Sequence, residues 1–398
     1  MLRFILSYSS YIINIMEEQR MAYSFELGPI RPPSEAYSLL IRATRNCPWN
    51  RCKFCHTYKG ERFQLRSVAE IKQDIKTAKL IQDKIKELSW KSGYGGAVKQ
   101  IAGTILNNPP NEAVYNVALW LYAGGKSVFL QDANSLIMRT NELAEVVRFL
   151  RTTFPSINRI TSYARSKTAA KKKLDELVEL REAGLSRLHI GLESGYDPLL
   201  QYMDKGVTAA EHIKGGRNVV ESGISLCEYV ILGLGGKGMW REHTIHTAKV
   251  LNEIAPDFIR VRTLVVKNKT PLYDEVQNGN FARAADEDIL EEERRLIEHL
   301  ECHTKYVSDH ITNLLQEIKG KLPQDKGKML ASIDRFQALL PEERANFRVG
   351  RRLGIYRHLD DLSDSRRRQV VEQVAHKLGQ GGNQVDDKTI YTLMEGFI

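Results

Sequence analysis

Three of the five cysteines in this chain of 398 residues fall within one short stretch, Thr44-Arg45-Asn46-Cys47-Pro48-Trp49-Asn50-Arg51-Cys52-Lys53-Phe54-Cys55-His56. The apolar run Ser38-Leu39-Leu40-Ile41-Arg42-Ala43 precedes it directly and reads as a β-strand feeding a loop. Three thiolates on one loop can hold three corners of a cubane iron–sulfur cluster, whose irons are normally each held by a Cys thiolate. The fourth iron is then open, and an open position separates a reacting metal site from a sealed one, a logic documented for zinc. A zinc site is the competing reading, but it needs a fourth ligand. His56 is adjacent to Cys55 and poorly placed to close the same tetrahedron, while Cys227 and Cys302 lie far away with no paired spacing. A structural disulfide fits less well still, because five cysteines without a framework suit a reducing compartment.

The triplet, with an aromatic residue just before its last cysteine in Cys52-Lys53-Phe54-Cys55, resembles the cluster loop of the radical S-adenosylmethionine (SAM) enzymes. The resemblance implies a [4Fe–4S] cluster on Cys47, Cys52 and Cys55, with Phe54 beside the cofactor and SAM chelated at the open iron through its amino and carboxylate groups. An electron from a flavodoxin- or ferredoxin-like donor then cleaves the sulfonium to a 5′-deoxyadenosyl radical, which abstracts hydrogen from a substrate. Four residues separate Cys47 from Cys52 where the family usually has three, a departure that bears on subfamily.

Elements that could position such a loop follow in order. Proline-stiffened residues 28–35 form an extended lead-in. Apolar residues at Val68, Ile71, Ile75, Leu80, Ile81, Ile85 and Leu88 predict a helix, and Asn111 caps another reaching about Tyr122, with a Gly-containing insertion from Trp90 to Pro110 between them. Strands are predicted at 127–132, 159–165, 186–195, 224–236 and 258–264, alternating with helices at 174–183, 209–222 and 247–254. With the first strand these make six, so the expected fold is α/β: a partial (β/α)6 TIM-like barrel with right-handed crossovers and a C-terminal helical region. The expected division is a lead-in at 1–36, a core at 37–284 and a helical remainder at 285–398, with helices near 287–300, 305–318, 329–339, 341–348, 364–378 and 388–396 and a glycine joint at 379–383. His303, Tyr306 and His310 fall at helix spacing on one face, which reads first as core and otherwise as closing the open side of the barrel over a substrate.

Chemistry in such a barrel sits at the carboxyl ends of the strands. Asp132 ends the second strand; the resemblance places there the acceptor for the SAM amino group, although the usual Gly-Gly-Glu is absent, and the alternative is an Asp capping the next helix. Gly191-Leu192-Glu193-Ser194-Gly195 resembles the family strand whose polar residues meet the SAM methionine or ribose, which nominates Glu193 and Ser194; His189, further back, reads as a core histidine. Ile231 and Gly233 end the strand that by resemblance flanks adenine. No Gly-Lys-Ser/Thr follows, so a phosphate-loop ATPase is excluded. Arg262 is a carboxylate or phosphate partner at the mouth, counted with the cofactor-binding residues, and Cys227 and Tyr229 are candidates to return a hydrogen atom.

Apolar and charged fractions are ordinary for a globular protein, and no apolar run has the length of a membrane span. The net charge of +9 allows an anionic partner, RNA included, but runs such as Lys171–Lys173 and Arg366–Arg368 read first as solvated helix faces. The stretch 1–16 has an apolar run broken by Ser7–Ser10 and no cleavage site, so it reads not as a signal sequence but as dispensable sequence upstream of a start at Met16 or Met21. The lead-in is too short for a cobalamin domain, so cobalamin-dependent methyl transfer is not expected. The expectation is a cytoplasmic, oxygen-sensitive radical SAM enzyme with no membrane partner. A non-catalytic iron–sulfur protein of electron transfer or redox sensing, and a radical SAM enzyme that modifies RNA, are the alternatives.

Overall fold

Apolar strands between amphipathic helices dictate a parallel sheet, because each crossover helix must bury its apolar face on the strands it connects. The computed structural model describes residues 23–378 and 385–396, so the N-terminal stretch 1–20 and the whole joint at 379–383 lie outside the described residues. The described residues form two compact units: 23–48, 60–189 and 221–225 make the first, and 49–59, 190–220 and 226–396 the second.

The first unit carries β1 (Leu39–Arg42), β4 (Ser127–Gln131), β5 (Arg159–Ala164) and the start of β6 (Leu185–Glu193), in that order. β1 pairs in parallel with β4 and β4 with β5, so that Leu40 stands opposite Phe129 and Phe129 opposite Thr161. A short antiparallel pair, β2 (Thr44–Arg45) and β3 (Gln64–Leu65), flanks the start of the cysteine loop. Helix Val68–Lys91 begins on a capping box made by Ser67 and Glu70 and buries Ile71, Ile75, Ile81 and Ile85. Asn111 caps helix Glu112–Tyr122 as expected, accepting from the Val114 N–H. The insertion between Trp90 and Pro110 is more ordered than its glycines suggested: it holds helix Val98–Asn107, which buries Ile101, Ala102 and Ile105.

In the second unit β7 (Ser225–Leu232) pairs in parallel with β8 (Phe258–Thr263), and β8 with β9 (Thr304–Val307). β7 stops at Leu232, because Gly233 (φ 80°) and Gly236 (φ 52°) turn the chain into helix Gly236–Ile254. A Cβ on Gly236 would lie 2.5 Å from the Ala282 carbonyl oxygen, so the turn has no room for a side chain. Parallel strands in β/α succession give the α/β, TIM-like class that the sequence predicts.

One expectation fails in the C-terminal part. Residues 305–318 are not helical: β9 and an antiparallel partner, β10 (Lys319–Leu322), extend the strand order beyond β8. Val307, Ile311, Leu314, Leu315 and Ile318 mimic a helical period, but the edge of β8 offers unpaired backbone groups that Thr304–Val307, rich in β-formers, satisfies. His303, Tyr306 and His310 therefore share no helix face. Tyr306 is fully buried and donates to Glu293 Oε1 at 3.0 Å.

Burial pushes the Glu293 carboxyl up to about 8, with Glu292 and Glu317 adding to it against the hydrogen bonds of Tyr306 and Ser308. A folded value above the unfolded one means that this group's stabilising contribution is full below the ordinary carboxyl range, near 4.5, and is lost as pH rises toward 8. The loss runs at about 1.4 kcal/mol per pH unit across that window. Glu293→Gln, whose amide does not titrate, is expected to melt progressively higher than wild type as melts are taken from pH 5 to pH 9. A difference that stays constant over that range refutes the assignment.

Candidate active site

Entry into the cysteine loop is fixed within the first unit. Arg42, the last residue of β1, directs its guanidinium at the fully buried Asp132, with Nη2 at 2.6 Å and Nε at 2.8 Å from Oδ2. Its Nη1 meets Glu26 Oε1 at 2.7 Å, and Glu26 also takes Arg45 Nη2 at 2.6 Å. Burial works against ionising Glu26, yet Arg45, Arg66 and Arg42 together hold its carboxyl below the ordinary range. Asp132 Oδ2 further accepts the Asn46 backbone N–H at 3.1 Å. Asn46 stands at φ 65°, a left-handed conformation that asparagine tolerates, and its side chain donates to the Arg62 carbonyl at 2.7 Å. Asp132 thus anchors the residue before Cys47. The cap reading fails, since Asn134 precedes the next helical turn, Ser135–Ile137, and Arg139 precedes helix Thr140–Thr153.

Within the second unit, residues 49–55 are clamped from two sides. Trp49 Nε1 donates to the Asp204 carbonyl at 2.6 Å, and the indole lies where a Cβ on Gly206 would come within 2.2 Å of it. The Lys53 N–H donates to the Met203 carbonyl at 2.9 Å, while the Lys53 carbonyl accepts from the Leu272 N–H at 3.1 Å. Lys53 Nζ meets Glu275 at 2.7 Å and stands 4.3 Å from the Tyr202 ring centroid. Phe54 is buried in an apolar cluster with Leu199, Met203, Ile231, Leu234, Val266, Leu272 and Phe281, and Cys52 and Cys55 pack against it. Phe54 and Ile231, both nominated from sequence, therefore line the same apolar wall as two of the cysteines.

The end of β6 adds a charged pair to that wall. Glu193 (φ 63°) meets Lys205 Nζ at 2.9 Å, and the same ammonium lies 5.8 Å from the Phe54 ring centroid. Gly191 leaves room for this pair: a Cβ there would come 2.2 Å from Glu193 Oε1 and 3.1 Å from Lys205 Nζ. Gly191→Ala is expected to cost about 2 kcal/mol in a thermal or urea melt by overpacking the pair; an unchanged midpoint would mean that Glu193 relocates freely. Glu228 of β7 is fully buried, and its carboxyl is raised well above the ordinary value by burial, then by Glu193, with Lys205 opposing.

The other nominated residues have different surroundings. Ser194 is fully buried; its Oγ shares a 2.8 Å hydrogen bond with His243 Nδ1 and accepts from the Tyr196 N–H at 3.0 Å. His243 also approaches Glu292 at 3.3 Å, and Glu292 accepts the Gly233 N–H at 2.9 Å, so Ser194 and Gly233 are joined through a buried network. Cys227 and Tyr229 lie on β7, opposite Phe258 and Arg260, and Cys227 is buried. Arg262 lies opposite Ile231. His189, in the first unit, is a buried core residue whose Nε2 lies 3.6 Å from Glu35. Lys205, Glu228, His243 and Glu292 are the site-proximal residues that sequence reading missed. No motif marks them, since each is defined by a partner distant in sequence.

All five cysteines are thiols outside any disulfide, with Cys47, Cys52 and Cys55 half-buried and Cys227 and Cys302 buried. Among the described residues no group of three or more His, Cys, Asp or Glu side chains is arranged to hold a single metal ion. A cubane asks for something else, one thiolate on each of three separate irons. Three half-buried thiols on one anchored loop, two of them against an apolar wall, fit that demand in donor chemistry. Among the described residues no helix is long and apolar enough to cross a membrane.

A family model for the radical SAM superfamily matches residues 41–248, more than half of the chain. The chain belongs to the radical SAM superfamily. It is thus a radical SAM enzyme, whose cofactors are a [4Fe–4S] cluster and SAM. An uncharacterized protein of Methanocaldococcus jannaschii is 29% identical to this enzyme over 156 residues, 39% of the chain and 45% of the relative. A tRNA uridine(34) acetyltransferase of the same organism is 21% identical over 122 residues, 30% of the chain and 22% of the relative. These matches span less than half the length of either relative. Among solved structures, the radical SAM methyltransferase TsrM from Kitasatospora setae aligns with TM-score 0.42 and 14% identity, over 89% of this chain and 65% of its own. HydG, a maturase of the [FeFe]-hydrogenase, aligns with TM-score 0.38 and 11% identity, over 98% and 92%.

Proposed function

We propose that this enzyme cleaves SAM reductively at a cluster held by Cys47, Cys52 and Cys55, and that the resulting radical takes hydrogen from a substrate seated at the strand ends of the second unit. The observation that carries the reading is the burial of Phe54 and Ile231 in one apolar cluster against which Cys52 and Cys55 pack. When bound, the cluster and SAM supply a one-electron cleavage of the sulfonium and a 5′-deoxyadenosyl radical. The chain's own residues do the rest. Phe54 and Ile231 present an apolar wall to the adenine and exclude water from it. Glu193, oriented by Lys205, offers a carboxylate to the polar groups of SAM, and Asp132 keeps the approach to Cys47 in place through Asn46. Cys227 and Tyr229 are the chain's candidates for returning a hydrogen atom, and the described helices that follow β10 are the part proposed to close over the substrate.

A flavodoxin- or ferredoxin-like donor, a cytoplasmic location and sensitivity to oxygen belong to the same proposal. Anaerobic reconstitution followed by assay of 5′-deoxyadenosine, with dithionite as reductant, tests it. Wild type is expected to form the nucleoside, and a chain that takes up iron and sulfide yet leaves SAM intact refutes the reading.

RNA modification is the second reading, supported by the partial likeness to a tRNA-modifying enzyme and by the formal net charge of +9. Association with bulk tRNA that weakens steeply with salt supports it, and no association at low salt removes it.

A further inference from the structure

Among the described residues no carboxylate forms an ion pair with Arg262, although it is half-buried near the carboxyl end of β8. Arg260, two positions earlier on the same strand, is neutralised by Asp309 through contacts of 2.7 and 3.0 Å from one guanidinium nitrogen. Leaving a guanidinium half-buried and unpaired is costly unless something anionic arrives to meet it.

His310 follows Asp309 on the segment leaving β9, and β8 and β9 run parallel with Arg260 opposite Val307, which carries Asp309 and His310 alongside the end of β8. The Thr312 N–H donates to His310 Nδ1 at 3.3 Å, and Thr312 Oγ1 lies 2.7 Å from the same nitrogen. A backbone N–H only donates, so Nδ1 is the acceptor and the proton of the neutral imidazole sits on Nε2. Burial, then Arg262, pushes His310 down to about 4, with Asp309 opposing, so the ring is neutral at physiological pH. The Thr312 hydroxyl proton is therefore spent on Nδ1, and the segment is held to β8 by the next residue, Asn313, whose Oδ1 accepts the Thr263 N–H at 2.7 Å. The arrangement sets an Nε2–H donor beside the end of β8, near enough to the Arg262 guanidinium for that cation to disfavour protonation of the ring, and Arg262 has no carboxylate partner among the described residues.

We propose that Arg262 and the Nε2–H of His310 form an oxyanion subsite that seats a carboxylate or phosphate group of the substrate. The subsite rests on the radical SAM reading for its role in turnover, because Arg262 lies opposite Ile231, a member of the apolar cluster on which Cys52 and Cys55 pack. SAM itself carries a net positive charge through its sulfonium, so an unneutralised guanidinium favours an anionic co-occupant over SAM. A forked donor also holds a planar or tetrahedral oxyanion in one orientation, which would fix the carbon presented for hydrogen abstraction.

The test uses the full chain with its cluster reconstituted, titrated calorimetrically with inorganic phosphate and, in a separate arm, with acetate. Saturable binding of either anion by wild type is expected, weakened at least about tenfold by Arg262→Gln and several-fold by His310→Gln, with Arg262→Lys in between. The arm that binds names the group. SAM affinity, measured alongside, separates this substrate role from the cofactor-binding role expected of Arg262 from sequence: the subsite requires that it stay within about twofold in Arg262→Gln. Should that variant fold poorly by circular dichroism, Arg262→Lys and His310→Gln carry the comparison. Absence of saturable anion binding in wild type, binding unaltered in the variants, or a tenfold loss of SAM affinity in Arg262→Gln each overturns the subsite. Wild type that binds phosphate but leaves SAM intact overturns the catalytic reading and not the subsite.

Discussion

Cys52→Ala is expected to abolish reductive SAM cleavage, lowering 5′-deoxyadenosine formation by about three orders of magnitude or more. The reason is stoichiometric: with three cysteines on the loop and no further thiol near them in sequence, losing one leaves two irons open. Such a cluster is exposed to solvent and to adventitious ligands, and is lost during reconstitution. Iron and acid-labile sulfide are therefore expected to fall together with visible absorbance, while the fold persists. Cys52 is half-buried on the edge of the Phe54 cluster, and alanine removes little apolar contact there. Far-ultraviolet circular dichroism should be unchanged. Cys302→Ala, buried and far from the loop in sequence, is the control: it should retain both cluster and cleavage, and a variant that loses them there would contradict the ligand assignment.

Asp132→Ala is expected to cost about 3 to 5 kcal/mol and to deplete the cluster as well. Two effects add. The Arg42 guanidinium, paired at 2.6 Å with a carboxylate that is wholly buried, is left with the partly exposed Glu26 and the neutral Asn46 Oδ1. Removing one partner of a buried ion pair strands the other charge, which is why the loss is large. The Asn46 N–H loses its acceptor in the same step, at the left-handed residue that turns the chain into the cysteine loop. Asp132→Asn keeps the shape and one acceptor oxygen and should fall between. Urea melts give the first quantity and iron content after reconstitution the second. A variant with full stability and full iron would mean that Asp132 serves neither Arg42 nor the loop.

The sequence made much of this protein legible for local reasons. Helices with a strong apolar period and a clear cap, such as Val68–Lys91 behind Ser67 and Glu112–Tyr122 behind Asn111, were found within a few residues of their ends. Strands bounded by charged or glycine residues were found as well. The apolar wall was partly visible too, since Phe54 and Ile231 were nominated separately, each from its own stretch.

Where prediction failed, a partner distant in sequence decided the outcome. Thr304–Val307 became a strand because β8 presented an open edge, an opportunity that no window around residue 305 contains. Asp132, expected from the resemblance to face SAM, has its Oδ2 engaged by the Asn46 N–H and by Arg42, a partner 90 residues earlier that no local window contains.

By itself the sequence determined the chemistry: thiolate number and spacing fix what the loop can ligate, and periodicity fixes which segments are helix or parallel strand, because both depend on near neighbours. Tertiary structure alone decided the environments: which carboxylate meets which arginine, why burial and then Glu193 raise the Glu228 carboxyl against Lys205, and why Arg262 has no ion-pair partner among the described residues. Charge pairing and desolvation depend on what surrounds a group in space, and that is set only when distant segments fold together.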